Sequence, residues 1–339
     1  MRQLAMVMDL NKCLGCQTCT AACKTQWTNR FGREYMYWNN VETQPGQGYP
    51  KGYMDYNAGW DEKGNLKKGG LPRIPEDYGI PWEYNYKEVL NGDAKTLKPD
   101  SEPSWGANWD EDEGEGEYPN SYFFYLPRIC NHCTNPACLA ACPNKAIHKR
   151  KEDGIVLVDL KRCKGVRDCI SACPYKKVYF NPSRKKEEMG IAGQSEKCIF
   201  CFPRIEKGLP PACAKQCVGR IRNVGYLDDE DSHVYKMVKK WKVALPLRPD
   251  FGTIPNVYYV PPLSPPKFNE KGLPSNASIG GEVTDEPRIP MEFLKKLFGS
   301  EVENALKTLK DEMDKKAKGE KSELMDILIA YKHSEMFKI

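Results

Sequence analysis

The chain has 339 residues, 40% of them hydrophobic, and a formal net charge of +5 from 51 Lys and Arg against 46 Asp and Glu. Its longest purely aliphatic run covers residues 155–158, far short of the roughly 20 apolar residues that span a bilayer. The first residues also lack a signal peptide's apolar core and cleavage site, so we expect a soluble protein that another polypeptide carries if it is exported. Asp and Glu are spread along most of the chain, which makes nucleic-acid binding a weak alternative.

Residues 1–30 contain an apolar run, Met6-Val7-Met8, that predicts a strand leading into the first cysteine loop. Residues 31–122 are rich in Gly, Pro, Trp and Tyr and include an acidic run at 110–117. The aromatic content predicts an irregular insertion packed on the core or on a partner rather than simple disorder. Residues 246–266 are Pro-rich and predict an extended wrapping arm, and helical periodicity after Pro290 predicts a helical C-terminal tail.

Fifteen cysteines are the most informative feature of the composition. An odd number cannot pair completely into disulfides, and the chain is much longer than typical disulfide-stapled domains. The cysteines also form four short groups and leave residues 24–129 and 218–339 without any. Such grouping is typical of metal-ligand sets.

The first group, Cys13, Cys16, Cys19 and Cys23, has the spacing C-x2-C-x2-C-x3-C. In two-cluster bacterial ferredoxins, three such thiolates hold one [4Fe-4S] cluster and the fourth binds the other cluster. Gly15 permits the positive φ that a tight ligand loop requires. The first group therefore predicts a ferredoxin-like module.

The second and fourth groups have the same general form with longer spacers: Cys130, Cys133, Cys138 and Cys142, then Cys198, Cys201, Cys213 and Cys217. Zinc is the main competing metal, because C-x2-C pairs are common in zinc sites. Zinc knuckles are usually separated by a dozen or more residues, so iron–sulfur clusters are the favoured interpretation, and metal analysis would distinguish the two.

The third group contains Cys163, Cys169 and Cys173, but Val166 lies where the first group has a cysteine. Valine cannot bind iron, so this pattern predicts a three-iron [3Fe-4S] cluster. Asp168 is an alternative oxygen ligand, although it is displaced by two residues from the vacated position. Three clusters with four thiolates and one with three then use all 15 cysteines (3 × 4 + 3) and leave no thiol as a nucleophile.

The cysteine motifs occur twice. Residues 9–16 (DLNKCLGC) parallel residues 159–166 (DLKRCKGV), and the Pro-Ala-Cys segment at 136–138 parallels that at 211–213. We therefore expect an α+β fold with two bacterial ferredoxin-like (4Fe-4S double-cluster) modules related by an internal repeat. The repeat alone also permits a module that pairs the third group with the fourth.

Other residues leave alternatives open. Basic side chains near the cysteines form either a solvated face or charge compensation for buried anionic clusters: Lys24, Lys164, Arg167, Lys176, Lys177, Arg204, Arg220 and Arg222.

The four histidines (132, 148, 233 and 333) are scattered, and we expect structural roles for them. The sequence has no radical S-adenosylmethionine motif, haem attachment motif or Gly-rich phosphate loop, which disfavours a self-sufficient enzyme.

Three segments together resemble the iron–sulfur β subunits of type II molybdenum enzymes in the dimethyl sulfoxide reductase family. They are DLNKCLGCQTCTAACKTQWTNRFGREYMYWNNVETQPGQGYP, CPYKKVYFNPSRK and SEKCIFCFPRIEKGLPPACAKQCVGRIR, and the resemblance covers roughly residues 1–260. The family includes β subunits of nitrate reductase, ethylbenzene dehydrogenase, dimethylsulfide dehydrogenase, and selenate, chlorate and perchlorate reductases. Its members have an aromatic residue at the vacated ligand position, from which Val166 departs.

The resemblance implies a ligand set for each cluster. These are Cys13, Cys16, Cys19 and Cys217 for cluster 1; Cys23, Cys198, Cys201 and Cys213 for cluster 2; Cys130, Cys133, Cys138 and Cys173 for cluster 3, all [4Fe-4S]; and Cys142, Cys163 and Cys169 for cluster 4, a [3Fe-4S] cluster. Module A then comprises residues 1–30 and 180–245, and module B residues 123–179. The insertion (31–122) and the Pro-rich arm with the helical tail (246–339) complete the chain.

The resemblance also implies an electron-transfer subunit of a multi-subunit molybdenum oxidoreductase, without a catalytic site of its own. It would relay single electrons between a catalytic α subunit with a molybdenum bis-pterin cofactor and a haem b-type γ subunit or another cytochrome acceptor. Exported relatives cross the membrane with a folded partner, which predicts a periplasmic location, with the cytoplasmic face of the membrane as the alternative.

Overall fold

The computed structural model describes residues 2–29, 32–79, 114–268 and 283–339, and its fold is α+β, as predicted. The acidic run at 110–117 is only partly described, because residues 110–113 lie outside these ranges. The strands are β1 Leu4–Asp9, β2 Asn40–Gln44, β3 Gly59–Trp60, β4 Leu66–Lys67, β5 Phe124–Arg128, β6 Ile147–Lys149, β7 Val156–Val158, β8 Val178–Asn181, β9 Gln194–Lys197, β10 Arg222–Tyr226, β11 Leu245–Pro246, β12 Val257–Val260, β13 Pro266–Phe268, β14 Val283–Pro287 and β15 Phe337–Lys338. The helices are α1 Thr18–Cys23, α2 Ala137–Ala140, α3 Asp168–Ala172, α4 Phe202–Ile205, α5 Ala212–Lys215, α6 His233–Tyr235, α7 Met291–Phe298, α8 Val302–Ala317 and α9 Glu323–Ile329.

A five-stranded sheet, in the order β11-β12-β1-β10-β15, organises the chain. Its central strand β1 is buried along its whole length. Side chains of a strand alternate between the two faces, so Met6 faces the core that contains the cysteine helices, whereas Val7 faces a second core. Helices α6, α8 and α9 supply part of this second core. The apolar sequence of β1 therefore reflects burial on both faces.

The Pro-rich segment contributes to this sheet. Strand β12 pairs in parallel with β1, with Val7 opposite Tyr258, while β10 pairs antiparallel on the other side of β1. The segment predicted as a wrapping arm thus supplies the strand next to β1, which leads into the first cysteine loop. The C-terminal tail is helical, as its periodicity predicts, and β15 adds the last strand at the far edge.

The insertion places aromatic rings against the cysteine region. Tyr35, Trp38 and Tyr49 are buried in a cluster that also contains Cys23 and Cys198. Strand β2 of the insertion pairs antiparallel with β5, just before the second cysteine group. Packing of the insertion on the core, one of the two predicted alternatives, is therefore observed for its described part.

Among the described residues, no helix combines the length and the apolar character needed to cross a membrane.

Candidate iron–sulfur sites

All 15 cysteines are free thiols, and most of them are buried. They lie in loops that lead into very short helices: α1 carries Cys19 and Cys23, α2 Cys138, α3 Cys169 and α5 Cys213. Helix α1 packs against α5, and α2 packs against α3. The first group is thus brought to the fourth, and the second to the third.

One enclosed cavity lies between the first and fourth groups. The cysteines that line it are Cys23, Cys198, Cys201 and Cys213. Burial and the neighbouring thiols of Cys198, Cys213 and Cys201 raise the pKa of Cys23 well above its ordinary value. These four residues are the ones that the family resemblance assigns to cluster 2.

A second enclosed cavity lies between the second and third groups. The cysteines that line it are Cys130, Cys133, Cys138 and Cys173. Burial is the main cause of the raised pKa of the Cys138 thiol. The neighbouring Cys173, Cys130 and Cys133 raise this pKa further, whereas Lys197 lowers it. The structure therefore brings together the four residues that the resemblance assigns to cluster 3.

The remaining cysteines form two outer groups. Burial raises the pKa of Cys13 to about 11, and the nearby charges of Cys19 and Cys217 add to this effect. Cys16, in the same loop, is exposed. At the opposite end, burial raises the pKa of Cys169 to about 12, with further contributions from Cys163 and Cys142.

The four groups follow one another in a linear order. Cys213 lies close enough to Cys19 and Cys217 for their charges to repel, which connects the assigned cluster 2 with cluster 1. Cys198 interacts in the same way with Cys130, which connects cluster 2 with cluster 3. Cys169 interacts with Cys173, which connects cluster 4 with cluster 3. These contacts thus run from the thiols of Cys19 and Cys217 through the two inner groups to that of Cys169.

Backbone amides donate to several of these sulfurs. The N–H groups of His132 and Phe200 donate to Sγ of Cys130 and Cys198, at 3.5 and 3.3 Å. In the group with three cysteines, the N–H of Ser195 donates to Cys163 Sγ at 3.4 Å. Hydrogen bonds to the charged form favour that form, so these loops are built to stabilise thiolates.

The indole Nε1–H of Trp27 donates to Cys201 Sγ at 3.1 Å. Trp27 also lines the cavity assigned to cluster 2 and stacks on Trp38, with ring centroids 6.5 Å apart. Nothing in the cysteine spacing identifies this donor, although its position four residues after Cys23 places it on the same helical face.

Two buried cations lie between neighbouring groups. The Arg222 guanidinium donates from Nη2 to Cys19 Sγ at 3.3 Å, and although burial disfavours its charge, the nearby Cys19, Cys213 and Cys217 raise its pKa. Lys197 is fully buried, and although burial opposes its charge, Cys130, Cys138 and Cys198 raise its pKa. Arg222 therefore faces thiols that the resemblance assigns to clusters 1 and 2, and Lys197 faces thiols assigned to clusters 2 and 3.

The basic residues near the cysteines include both buried side chains, as charge compensation requires, and exposed ones, as a solvated face requires. Lys176, Lys177 and Arg222 are buried, Lys24 and Arg204 are half-buried, and Lys164, Arg167 and Arg220 are exposed. Lys197 is not identified by the cysteine spacing, and its only sequence signal is its position immediately before Cys198. Asp168, the alternative oxygen ligand, forms an ion pair with Lys68 at 2.6 Å.

Buried side-chain nitrogens without acceptors also indicate that these cavities fit iron–sulfur clusters. Trp38 lines the cavity assigned to cluster 2, His132 lines the one assigned to cluster 3, and Arg222 donates from Nη2 to Cys19 Sγ. Each of these residues also has a buried side-chain nitrogen (Nε1, Nε2 and Nε, respectively) without a hydrogen-bond partner among the described residues. Buried donors need an acceptor, and the sulfides and thiolates of a cluster supply one. Within the described ranges, no three His, Cys, Asp or Glu side chains form a site for a single metal ion.

Buried thiols arranged around cavities of this kind, in loops that lead into short helices, define an iron–sulfur protein of the ferredoxin type. Residues 121–227 match the family described as 4Fe-4S dicluster domain. The chain is 62% identical to the dimethylsulfide dehydrogenase subunit β of Rhodovulum sulfidophilum, over 100% of this chain and 99% of that one. It is 57% identical to the selenate reductase subunit β of Thauera selenatis and 55% identical to the chlorate reductase subunit β of Ideonella dechloratans, with the same coverage.

The chain belongs to the family of iron–sulfur β subunits of type II molybdenum enzymes in the dimethyl sulfoxide reductase family, as the three sequence segments predict. It is thus an electron-transfer subunit of an oxidoreductase complex rather than the catalytic subunit. The presence of iron–sulfur clusters follows from the same family and from the buried cysteines.

Proposed function

We propose that the chain relays single electrons through three [4Fe-4S] clusters and one [3Fe-4S] cluster. Its partners are a catalytic α subunit with a molybdenum bis-pterin cofactor and a haem b-type γ subunit or another cytochrome acceptor. The ligand sets are Cys13, Cys16, Cys19 and Cys217; Cys23, Cys198, Cys201 and Cys213; Cys130, Cys133, Cys138 and Cys173; and, for the [3Fe-4S] cluster, Cys142, Cys163 and Cys169. The observation that carries this proposal is the linear order of the four thiol groups.

Each cluster, when bound, supplies one-electron redox chemistry without proton transfer to a substrate. The protein's own part is to hold the thiolates, to exclude water from the inner pair and to offset negative charge. The enclosed cavities around the inner cysteines support the second role. Arg222 and Lys197 support the third, because each faces two neighbouring groups.

The first and the last thiol groups in this linear order both have exposed residues in their loops. At the cluster 1 end, Cys16 is exposed, and so are Leu14, in the same loop, and Val218, next to Cys217, at 64% and 63%. At the cluster 4 end, Val166 is 51% exposed. Exposed apolar side chains of this size are typical of contact surfaces when they lie together, so we assign the cluster 1 end to the catalytic subunit and the cluster 4 end to the electron acceptor.

The proposed modules follow the packing of the short helices. Module A comprises residues 1–30 and 180–245 and is supported by the contact of α1 with α5; module B comprises residues 123–179 and is supported by the contact of α2 with α3. The strand pairing of β1 with β10 joins the two separate pieces of module A. This nesting is preferred over a module made of the third and fourth groups.

We propose a periplasmic location, reached by export together with a folded catalytic subunit. Cell fractionation of the native producer tests this, with the catalytic subunit followed in the same fractions. Recovery of both subunits on the cytoplasmic side of the membrane would instead support the alternative location.

The test of the cluster composition is a redox titration followed by EPR on anaerobically purified complex. The oxidised protein should give the signal of one [3Fe-4S] cluster, and stepwise reduction should add three [4Fe-4S] signals. Replacing Cys213 by Ala should abolish one four-iron signal and leave the three-iron signal in place. A protein with only two clusters, or with four indistinguishable four-iron clusters, would contradict the composition.

A further inference from the structure

His132 lies inside the second cysteine pair, between Cys130 and Cys133, and the sequence analysis gives it a structural role. His132 is one of the residues that line the cavity assigned to cluster 3. Its side chain is almost completely buried, at 1% exposure, and its backbone has a φ of +43°. Such a conformation is uncommon for a residue other than Gly, so the loop holds this ring at a specific place.

Hydrogen bonds fix the orientation of this loop and of the ring. The backbone oxygen of His132 accepts from Asn256 Nδ2 at 2.8 Å, and Nδ1 of the ring accepts from the Val156 N–H at 3.1 Å. Because Nδ1 is an acceptor, the imidazole is neutral and its proton lies on Nε2. The structure therefore defines which tautomer is present.

The Nε2–H group of His132 has no hydrogen-bond partner among the described residues, and it is shielded from solvent. Leaving a buried donor unsatisfied costs free energy, so such groups almost always have an acceptor. The ring of Phe200 is one candidate, since it meets the imidazole edge-to-face with centroids 5.1 Å apart. The other candidate is a sulfur atom of the cluster held by the surrounding cysteines.

We propose that Nε2–H of His132 donates a hydrogen bond to the cluster bound by Cys130, Cys133, Cys138 and Cys173 and thereby raises its reduction potential. This inference rests on the function proposed above. A hydrogen bond to a cluster sulfur stabilises the more negative, reduced state more than the oxidised state, and hydrogen bonds to the sulfurs are among the factors that set cluster potentials. His132 thus acts on electron transfer through the reduction potential of this cluster and does not bind iron itself.

Wild-type protein in which only the imidazole Nε2 of histidine carries ¹⁵N tests the contact directly, because the chain has only four histidines and the His132 backbone N–H, which itself donates to Cys130 Sγ, stays unlabelled. His148 is exposed, His233 contacts Asn223 and His333 packs against Phe337. Hyperfine spectroscopy of the reduced complex should show a nitrogen coupling from one histidine. If all four clusters are present and no such coupling is found, the acceptor is Phe200 and the proposal is wrong.

His132→Phe supplies the second test, with His148→Phe as the matched exposed control. The first variant should lose the nitrogen coupling and lower one four-iron potential, while the other three potentials stay in place. The control should change neither property. Intact clusters with an unchanged set of potentials in His132→Phe would overturn the proposal.

Iron analysis separates failure of this inference from failure of the proposed function. A wild-type preparation without iron–sulfur clusters contradicts the function itself, whereas a fully loaded protein without the coupling contradicts only the role of His132. If His132→Phe does not assemble its clusters, the measurement on labelled wild-type protein still decides the question.

Discussion

Val166 occupies the position in its loop that Cys16 occupies in the first cysteine loop. Each directly follows a glycine with positive φ, +72° at Gly165 and +64° at Gly15, and each has an exposed side chain. The backbone around the vacated ligand position therefore retains the geometry of a ligand loop. What is absent is the sulfur atom.

Restoring that sulfur should restore the fourth iron. Val166→Cys is expected to convert the proposed [3Fe-4S] cluster into a [4Fe-4S] cluster and to raise the iron content from about 15 to about 16 per chain. EPR of the oxidised protein should then lose the three-iron signal. Val166→Ala, which supplies no ligand atom, is the control and should keep the three-iron signal, and a Val166→Cys protein that keeps this signal would contradict the assignment.

Trp27→Phe should lower the potential of one inner four-iron cluster. The substitution keeps a ring in the cavity but removes the Nε1–H that donates to Cys201 Sγ at 3.1 Å. We expect a decrease of tens of millivolts, since about 59 mV corresponds to a tenfold change for one electron. Potentiometric titration measures it. Trp241→Phe, in the second core, is the control and should leave all four potentials unchanged.

Lys197→Met should lower two potentials together, because the Lys197 charge faces both Cys198 and Cys130. Loss of a buried positive charge disfavours the more negative, reduced state of each neighbouring cluster. Arg222→Met should instead affect clusters 1 and 2, because Arg222 faces Cys19 and Cys213. Potentiometric EPR of both variants should therefore show different pairs of shifted clusters. The same shift at all four clusters would argue against this placement of charge.

Glu42→Gln should strongly destabilise the protein. Glu42 accepts an ion-pair contact of 2.6 Å from Arg128, and both side chains are fully buried. Breaking a buried pair leaves an uncompensated charge, at a cost of about 3–5 kcal/mol. Denaturant unfolding of the loaded protein, followed by visible absorption under anaerobic conditions, should show a lower midpoint.

Glu335→Gln is the control for that experiment, because the Glu335–Lys332 pair is solvent-exposed. Exposed pairs contribute little to stability, so its unfolding midpoint should match that of the wild type. Equal midpoints for Glu42→Gln and the wild type would show that the buried pair is not important for stability.

The sequence is most informative where local geometry and ligand spacing decide the structure. The spacing of Cys13 to Cys23 predicts a ligand loop, and the apolar run at 6–8 predicts β1. Helical periodicity after Pro290 predicts the C-terminal helices, which the structure contains. These features depend on near neighbours in the chain, so one sequence is sufficient to predict them.

Local sequence patterns do not predict the pairing of distant strands or the burial of charged side chains. The parallel pairing of β12 with β1 joins segments about 250 residues apart, and no local pattern encodes it. Lys197 has the sequence signature of an ordinary surface residue, yet tertiary packing buries it between two thiol groups. The nesting of the cysteine groups likewise needed a family resemblance, because the repeat permits two ways of pairing them.

Metal analysis of the anaerobically purified chain with its catalytic partner tests the central claim most directly. Four clusters on 15 cysteines predict about 15 irons per chain, together with acid-labile sulfide and a brown colour. A colourless protein that contains a few zinc ions, or neither metal, would contradict the account.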